Sequence, residues 1–523
     1  MATYTITTLD ELQEMQSHRD DECVLANNID ASETRTWNYS DGEYHGFQPI
    51  GTAVNPYSGS LELPFTGSFD GGGFTISNLY INRTGQYDYY QSFLGHVEQI
   101  ANKIDNGTFV TDPAVGGEWT LGTGWTYNAG TNKVDKNGDG TGTLTQASGD
   151  MNTPLAVGQS YRLYFSISNR SVGTVTASCG GVTLSTADID GTYTDDFTAT
   201  STAALTFTPT DTSRFSIDNV ILYRITEIKD VNILNAEISG TYRTGILASD
   251  ITGMTANVTG SGTGDFDTLT VSGVKVSGSV TDTYYSTGSG GIGGIAATLA
   301  KCTVTDCQSD VNISAVASSA GGFCYLAGDN TNHAVISNCS ATGSIVFTRS
   351  TSTSAFHLGG FTAKGGLCTE CSASVGILQI ATARVTPTSP DTIGGFSAYP
   401  YYGYRCISYS NIVIVPEERA MVGGFAGYIS EDALSVTECA SVGSIAFSNP
   451  YSGTTNYYSY IGGFAGQNYQ TNIRDCYTFT DICKTGLSVD TTGNGTLYIG
   501  GFIGSAAASS SIGRCFAANY VPI

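Results

Sequence analysis

Residues 461–476 read IGGFAGQNYQTNIRDC, and variants of this stretch recur as LGGFTAKGGLCTEC at 358–371, VGGFAGYISEDALSVTEC at 422–439 and IGGFIGSAAASSSIGRC at 499–515. A glycine pair followed by an apolar residue occurs at Gly293-Gly294-Ile295, Gly321-Gly322-Phe323, Gly359-Gly360-Phe361, Gly394-Gly395-Phe396, Gly423-Gly424-Phe425, Gly462-Gly463-Phe464 and Gly500-Gly501-Phe502. The intervals between pairs are 28, 38, 35, 29, 39 and 38 residues, the range of a repeat array with one supersecondary unit per period and variable loops. A cysteine follows each pair by 11 to 17 residues: Cys307, Cys339, Cys371, Cys406, Cys439, Cys476 and Cys515. Six residues beyond each cysteine stands Ile313, Ile345, Ile377, Ile412, Ile445, Ile482 or Val521, which fixes the register.

Between these anchors the segments are short, alternate apolar with polar (CSATGSIVF, CASVGSIAF) and are bounded by Gly, Ser, Asn and Thr. That is strand chemistry with tight turns. Helical periodicity is confined to a capped turn or two between Thr8 and His18. The pattern predicts an all-β chain, a right-handed parallel β-helix (solenoid) in which equivalent residues of successive coils stack. Glycine pairs then mark corners where a side chain would clash or a positive φ is needed. Phenylalanine fills the interior, and cysteine acts as a small buried hydrophobe in a ladder.

The 523 residues are 40% hydrophobic and only 13% charged, with 46 acidic against 22 basic side chains and a formal net charge of -24. Without a Lys/Arg-rich run, this balance argues against nucleic acid and against a polybasic membrane contact. No stretch approaches eighteen consecutive apolar residues, so no membrane span is expected. The start, MATYTITTLDELQEM, has neither a basic n-region nor an apolar h-region, so no secretory signal is expected.

The glycine-pair coil, GGFAGY followed by a cysteine and an isoleucine six residues on, resembles the GLUG repeat of bacterial surface and adhesin-like proteins and of some phage proteins. ITTLDELQEMQ, CVLANNIDAS, GFQPIG, PFTGSFDGGGFTISNLYIN and SFLGHV, between residues 6 and 100, are similar to the N-terminal lead-in of such β-helices. This chain departs from the family in carrying cysteine where members often have serine or alanine, and Phe where many have Leu. The resemblance implies a stalk or adhesive scaffold and names no chemistry.

The glycine-pair pattern stops after SFLGHVEQIANKI and resumes at ITEIKDVNILNAEISGTYRTGILA. Eight or so β-like runs separated by Gly, Asn and Asp turns lie between, the pattern of a β-sandwich. The expected organisation is an N-terminal cap with the first coils at 1–104, an inserted domain at 105–225 and the main β-helix at 226–523. The NGTF opening, the tryptophans and the closing IDNV resemble jelly-roll carbohydrate-binding modules, which implies a sugar-binding role for the insertion. Two readings are open for Trp119 and Trp125: packing in the sandwich core, or stacking on a sugar ring. Tyr127, Tyr193 and Tyr161 are further aromatic candidates.

DKNGDG, residues 135–140, places oxygens of Asp135, Asn137 and Asp139 at alternate positions with a glycine sixth, as in the opening half of a calcium loop. Gln146 stands at the twelfth position where a bidentate Glu is expected, and a hairpin turn is the competing reading. Asp218 in SIDNV is a second candidate for a structural calcium site; no other cofactor is called for. Cys368 and Cys371 lack the partners a zinc site needs. Asp306, Glu370, Glu438 and Asp475 each precede a ladder cysteine, but Asn338, Arg405 and Arg514 share the position, so a mixed solvated face is expected rather than a hydrolase carboxylate pair.

The sequence therefore predicts a non-enzymatic structural and adhesive protein of a phage virion, a tail fibre, spike or head-fibre-like component made in the host cytoplasm. Its expected partners are a host-surface polysaccharide or glycan, bound through the inserted domain, other virion structural proteins and further copies of itself. The alternatives are a bacterial cell-surface adhesin and a polysaccharide-degrading enzyme on the same scaffold.

Overall fold

The computed structural model describes residues 3–51, 63–85, 90–99, 102–253, 269–282, 290–316, 318–328, 332–349, 355–381, 390–414, 420–447, 458–484, 496–507 and 510–521. The chain divides into two compact units: Gln99–Thr226, and a second built from Thr3–Glu98, Glu227–Gly253 and Thr270 onward.

The second unit is a parallel β-helix. In one coil, strand Gly291–Gly293 leads through Gly294 and Ile295 into Ala296–Ala300, then Cys302–Thr305, then a corner at Asp306 and Cys307, then Gln308–Val316. Each strand pairs in parallel with its counterpart in the next coil: Ile292 with Ala320, Ala296 with Cys324, Val304 with Ile336, Val311 with Gly343. Repetition builds four sheets, I to IV in that order, of nine, nine, twelve and thirteen strands among the described residues. The helical turn expected near Thr8 is a short helix, Leu9–Glu14, closed by a reciprocal capping box between Thr8 and Glu11.

The glycine pairs turn the chain from sheet I into sheet II, and the reason is contact rather than backbone conformation, because the paired glycines keep ordinary φ values. A Cβ on the first glycine of a pair would overlap a carbonyl oxygen three residues ahead: Cys324 for Gly321, Thr362 for Gly359, Ala426 for Gly423. On the second it would overlap the matching glycine carbonyl one coil on: Gly360 for Gly322, Gly395 for Gly360, Gly463 for Gly424. One glycine thus closes the corner and the other lets the coils stack. Buried polar groups from sheet IV's side then satisfy the corner carbonyls, with Ser309 Oγ donating to Gly322 O at 2.7 Å, Ser410 Oγ to Gly395 O at 2.7 Å and Ser441 Oγ to Gly463 O at 2.9 Å.

Inside, the rings of Phe361, Phe396, Phe425, Phe464 and Phe502 stack at 4.9 to 5.0 Å with interplanar angles of 10° or less. The spacing is that of neighbouring strands, about 4.8 Å. Ile313, Ile345, Ile377, Ile412, Ile445 and Ile482 stand in register, all buried. Val521 does not join them, because the last strand of that sheet ends at Ala517. The ladder cysteines from Cys307 to Cys476 are free and buried. Their thiols donate to carbonyls, as Cys339 Sγ does to Ser337 O at 3.1 Å, and burial pushes the thiols of Cys371 and Cys439 well above their usual range.

The solenoid resumes in register after the insertion: Ile228 pairs with Phe69 and Ala248 with Leu94. The intervening unit consists of two five-stranded antiparallel sheets. One contains Thr120–Leu121, Leu144–Gln146, Val175–Cys179, Val182–Ala187 and Leu205–Pro209; the other contains Trp125–Asn128, Lys133–Lys136, Ser160–Val172, Gly191–Thr198 and Arg214–Arg224. They share one core around Leu144, Phe165, Phe207, Ile217 and Leu222.

Candidate functional site

The aromatic candidates of the sandwich are drawn inward. Trp119 is 2% exposed and Trp125 5%, each satisfying its indole N–H internally, on Asp105 O at 3.0 Å and Gly142 O at 2.6 Å. Trp119 packs edge-on against Phe109, and Trp125 against Phe215. Both rings lie in the core cluster of the sandwich, the arrangement of the core-packing reading. Tyr161 is likewise buried. Tyr193 stacks on Phe165 at 5.3 Å and donates its hydroxyl to Ile189 O at 3.0 Å; Tyr127 packs half-buried against the same core.

The residues of the calcium expectation sit in separate surroundings. Asp135 lies in a strand, where its carboxylate accepts from Asn128 Nδ2 at 2.9 Å and Ser216 Oγ at 2.6 Å. Asp139 pairs with Arg214 at 2.7 Å, which holds its carboxyl below the ordinary range, and Asn137 is exposed. These oxygens serve different partners rather than converging, so DKNGDG is a strand end and a turn. Asp218 sits half-buried beside a bulge and accepts from the Asn219 N–H at 2.7 Å. Burial pushes its carboxyl upward, which disfavours the charged form a cation would need. No group of three or more His, Cys, Asp and Glu able to hold a metal ion occurs among the described residues.

The acids that precede the ladder cysteines occupy the corner between sheets III and IV in left-handed backbone, with φ of 56° at Asp306, 55° at Glu370, 54° at Glu438 and 54° at Asp475. Neighbouring coils pair with them, by arginine for Glu370, Glu438 and Asp475 and by an amide for Asp306. Arg405 reaches Glu438 at 2.9 Å and Glu370 at 3.5 Å, Arg514 reaches Asp475 at 2.5 Å, and Asn338 donates to Asp306 at 2.5 Å. This is a charge ladder on a solvated edge.

A different place on the β-helix has the geometry of a binding site. Four successive strands of sheet II, Cys324–Ala327, Thr362–Gly365, Ser397–Tyr399 and Ala426–Ile429, lead to sheet III through connections of unequal length. The middle two are short, Gly366 alone and Pro400-Tyr401, whereas the outer two run over 328–334 and 430–434. Beside these strands lies a hollow of about 420 Å³, lined by Tyr325, Leu326, Gly328, His333, Lys364, Gly365, Tyr399, Pro400, Tyr401, Ser430 and Asp432.

Leu326, Lys364 and Tyr399 are register partners on consecutive coils. His333 stacks on Tyr401 at 3.7 Å, and Lys364 Nζ lies 5.6 Å from the Tyr399 ring centre. Tyr399 is braced by His357, edge-on at 4.7 Å, and by Thr392 Oγ1 donating to its hydroxyl at 3.2 Å. Burial raises the phenols of Tyr325 and Tyr399, so both hydroxyls stay protonated at neutral pH. Burial also holds the His357 imidazole down at about 4, so it is neutral there. Aromatic rings beside a cation, a hydroxyl and a carboxylate suit a polyhydroxylated ring, whose C–H face packs on tyrosine while its hydroxyls find partners. Asp432 is the one carboxylate among the described lining residues.

None of the lining residues was a candidate from the sequence. The signal was present in the spacing from the second glycine to the ladder cysteine: 17, 11, 11 and 15 residues for the four coils that begin at Gly322, Gly360, Gly395 and Gly424. The two short intervals are the floor of the hollow.

Fold and hollow define the class: a parallel β-helical protein with an aromatic cleft on one flank. No family model matches the chain. Halomucin of Haloquadratum walsbyi is 42% identical over 85 residues, which is 16% of this chain and 1% of Halomucin, so the chain spans about a hundredth of that relative's length. Among solved structures, the tailspike protein gp49 from Pseudomonas phage LKA1 aligns over 97% of this chain and 74% of its own at 11% identity and a TM-score of 0.23. The catalytic domain of a GH87 alpha-1,3-glucanase aligns over 75% of this chain and 97% of its own at 9% identity and a TM-score of 0.15. Likeness at that level does not bear on what this chain does. No helix among the described residues is long and apolar enough to cross a membrane.

Proposed function

We propose that the chain is a structural and adhesive protein of a virion, a fibre or spike component that attaches to a host-surface glycan. The observation that carries the reading is the cleft: tyrosines, a histidine, a lysine and an aspartate gathered on the side of a solenoid whose coils are otherwise closed by glycine corners and a phenylalanine stack. The β-helix supplies length and stiffness, and the cleft supplies the recognition surface. The GLUG-like repeat gives the scaffold its period. In this reading the sandwich is a jelly-roll-like unit with a structural part, Trp119 and Trp125 lying in its core, and the glycan is bound on the β-helix.

The test is binding of the purified protein to immobilised surface polysaccharides, comparing wild type with Tyr399→Ala and Tyr401→Ala. Loss of binding in variants that keep their β-sheet circular dichroism is the expected result; unchanged binding in both overturns the assignment to the cleft. Release of new reducing ends from the same polysaccharides would replace attachment by a depolymerase reading. Proteomics of purified particles separates a virion component from a bacterial surface adhesin, which would instead fractionate with the cell envelope.

A further inference from the structure

The cleft has a direction. Its residues come from consecutive coils, so it is crossed in the stacking direction, with Leu326, Lys364 and Tyr399 following one another in register. Adjacent strands are about 4.8 Å apart, so the three steps from the first to the fourth coil span about 14 Å, more than one sugar ring. The aromatic line continues past the fourth coil. Tyr428 meets Tyr399 edge-on at 5.4 Å and is register partner to Gln467, and Tyr469, which donates its N–H to Ile429 O at 2.8 Å, is partly exposed beyond it.

Charge narrows the ligand further. The chain carries a formal charge of -24, and in the cleft wall Asp432 offsets Lys364, so a polyanion meets repulsion at long range and gains no net positive charge from that pair at the site. Tyrosine hydroxyls, neutral at pH 7, can donate to neutral hydroxyl or acetamido oxygens without help from a ligand charge.

We infer that the ligand of this cleft is an uncharged linear polysaccharide lying along the β-helix axis, with successive sugar rings on successive coils between Tyr325 and Tyr469. The inference rests on the glycan-binding reading and deepens it by fixing chain direction, minimum length and charge.

Isothermal titration with size-graded fragments of neutral homopolysaccharides and with oligogalacturonides of equal length tests it. Affinity is expected to rise by about tenfold or more from disaccharide to pentasaccharide, then level off once the line is filled. Oligogalacturonides are expected to bind more weakly at every length. Tyr469→Ala should lower affinity for hexasaccharides and leave disaccharide binding unchanged, while Tyr409→Ala, exposed elsewhere on the β-helix, should change neither. Disaccharide binding as tight as hexasaccharide binding, or tighter binding of the charged series, overturns the axial neutral-chain inference and leaves glycan attachment standing. Absence of binding across every fragment and parent polysaccharide overturns both.

Discussion

Gly360 occupies a point where its missing side chain is what allows two coils to meet: a Cβ there would overlap the Gly395 carbonyl and reach Ser410 Oγ at 2.8 Å. Backbone cannot move aside as a side chain can, so Gly360→Ala is expected to destabilise by about 3 kcal/mol or more, the upper end of overpacking effects. Gly376, in the neighbouring sheet IV strand, has open space where a Cβ would stand, with nothing within 4 Å, and Gly376→Ala is expected to shift stability by less than about 0.5 kcal/mol. Urea midpoints of the two variants against wild type decide it; equal shifts would mean that the corner contact is not the reason for the glycine. His357 gives the residue-scale pH dependence. Its folded pKa of about 4 lies below the unfolded value of about 6.5, so the unfolded chain takes up a proton that the native one refuses. The associated stability is complete above about pH 6.5 and is lost as pH falls towards 4. Thermal unfolding at pH 7 and pH 4.5 should show a smaller acid-induced drop for His357→Gln than for wild type. At this scale the repeat was legible because glycine, phenylalanine and cysteine each answer a different steric demand at a fixed place. The tryptophans could not be resolved the same way, since a core ring and a platform ring are the same residue until burial is known.

Stacks are the working unit of the β-helix. The phenylalanine column holds its rings nearly parallel from Phe361 to Phe502, one per coil, at strand spacing. Phe425→Ala removes a ring from the middle of the column, and large-to-small substitutions of this kind cost about 3–5 kcal/mol. Phe425→Leu keeps most of the volume and is expected to cost about 1.5 kcal/mol or less. Chemical denaturation of both variants checks the order; a leucine variant as damaged as the alanine variant would show that the ring stack itself, rather than filled volume, holds the coils. The corner ahead of the cysteines behaves differently. Asp306, Glu370, Arg405 and Glu438 share a left-handed conformation that the sequence did not announce, because Glu and Arg are not residues that favour it. What the side chains share is exposure and a charged or polar neighbour one coil away.

At the scale of the whole molecule, the order of parts followed from where the glycine pattern stops and restarts, and the structure rejoins Ile228 to Phe69 across the intervening sandwich. The cleft was harder to see. Tyr325, Lys364, Tyr399 and Asp432 are scattered over more than a hundred positions and converge only because a solenoid brings equal phases of its period together. The lining residues form no catalytic or metal-ligand motif in the sequence, so a search for such patterns passes over them. The proposed function places recognition in this cleft on the β-helix rather than in the sandwich. An experimental structure of the full chain with a bound hexasaccharide of the tightest neutral series puts that assignment to the test. Saccharide density is expected to run along the coils over Tyr325, Tyr399 and Tyr401, with Lys364 and Asp432 at its sides. Density confined to the sandwich unit, with the tyrosine cleft bare, would contradict it.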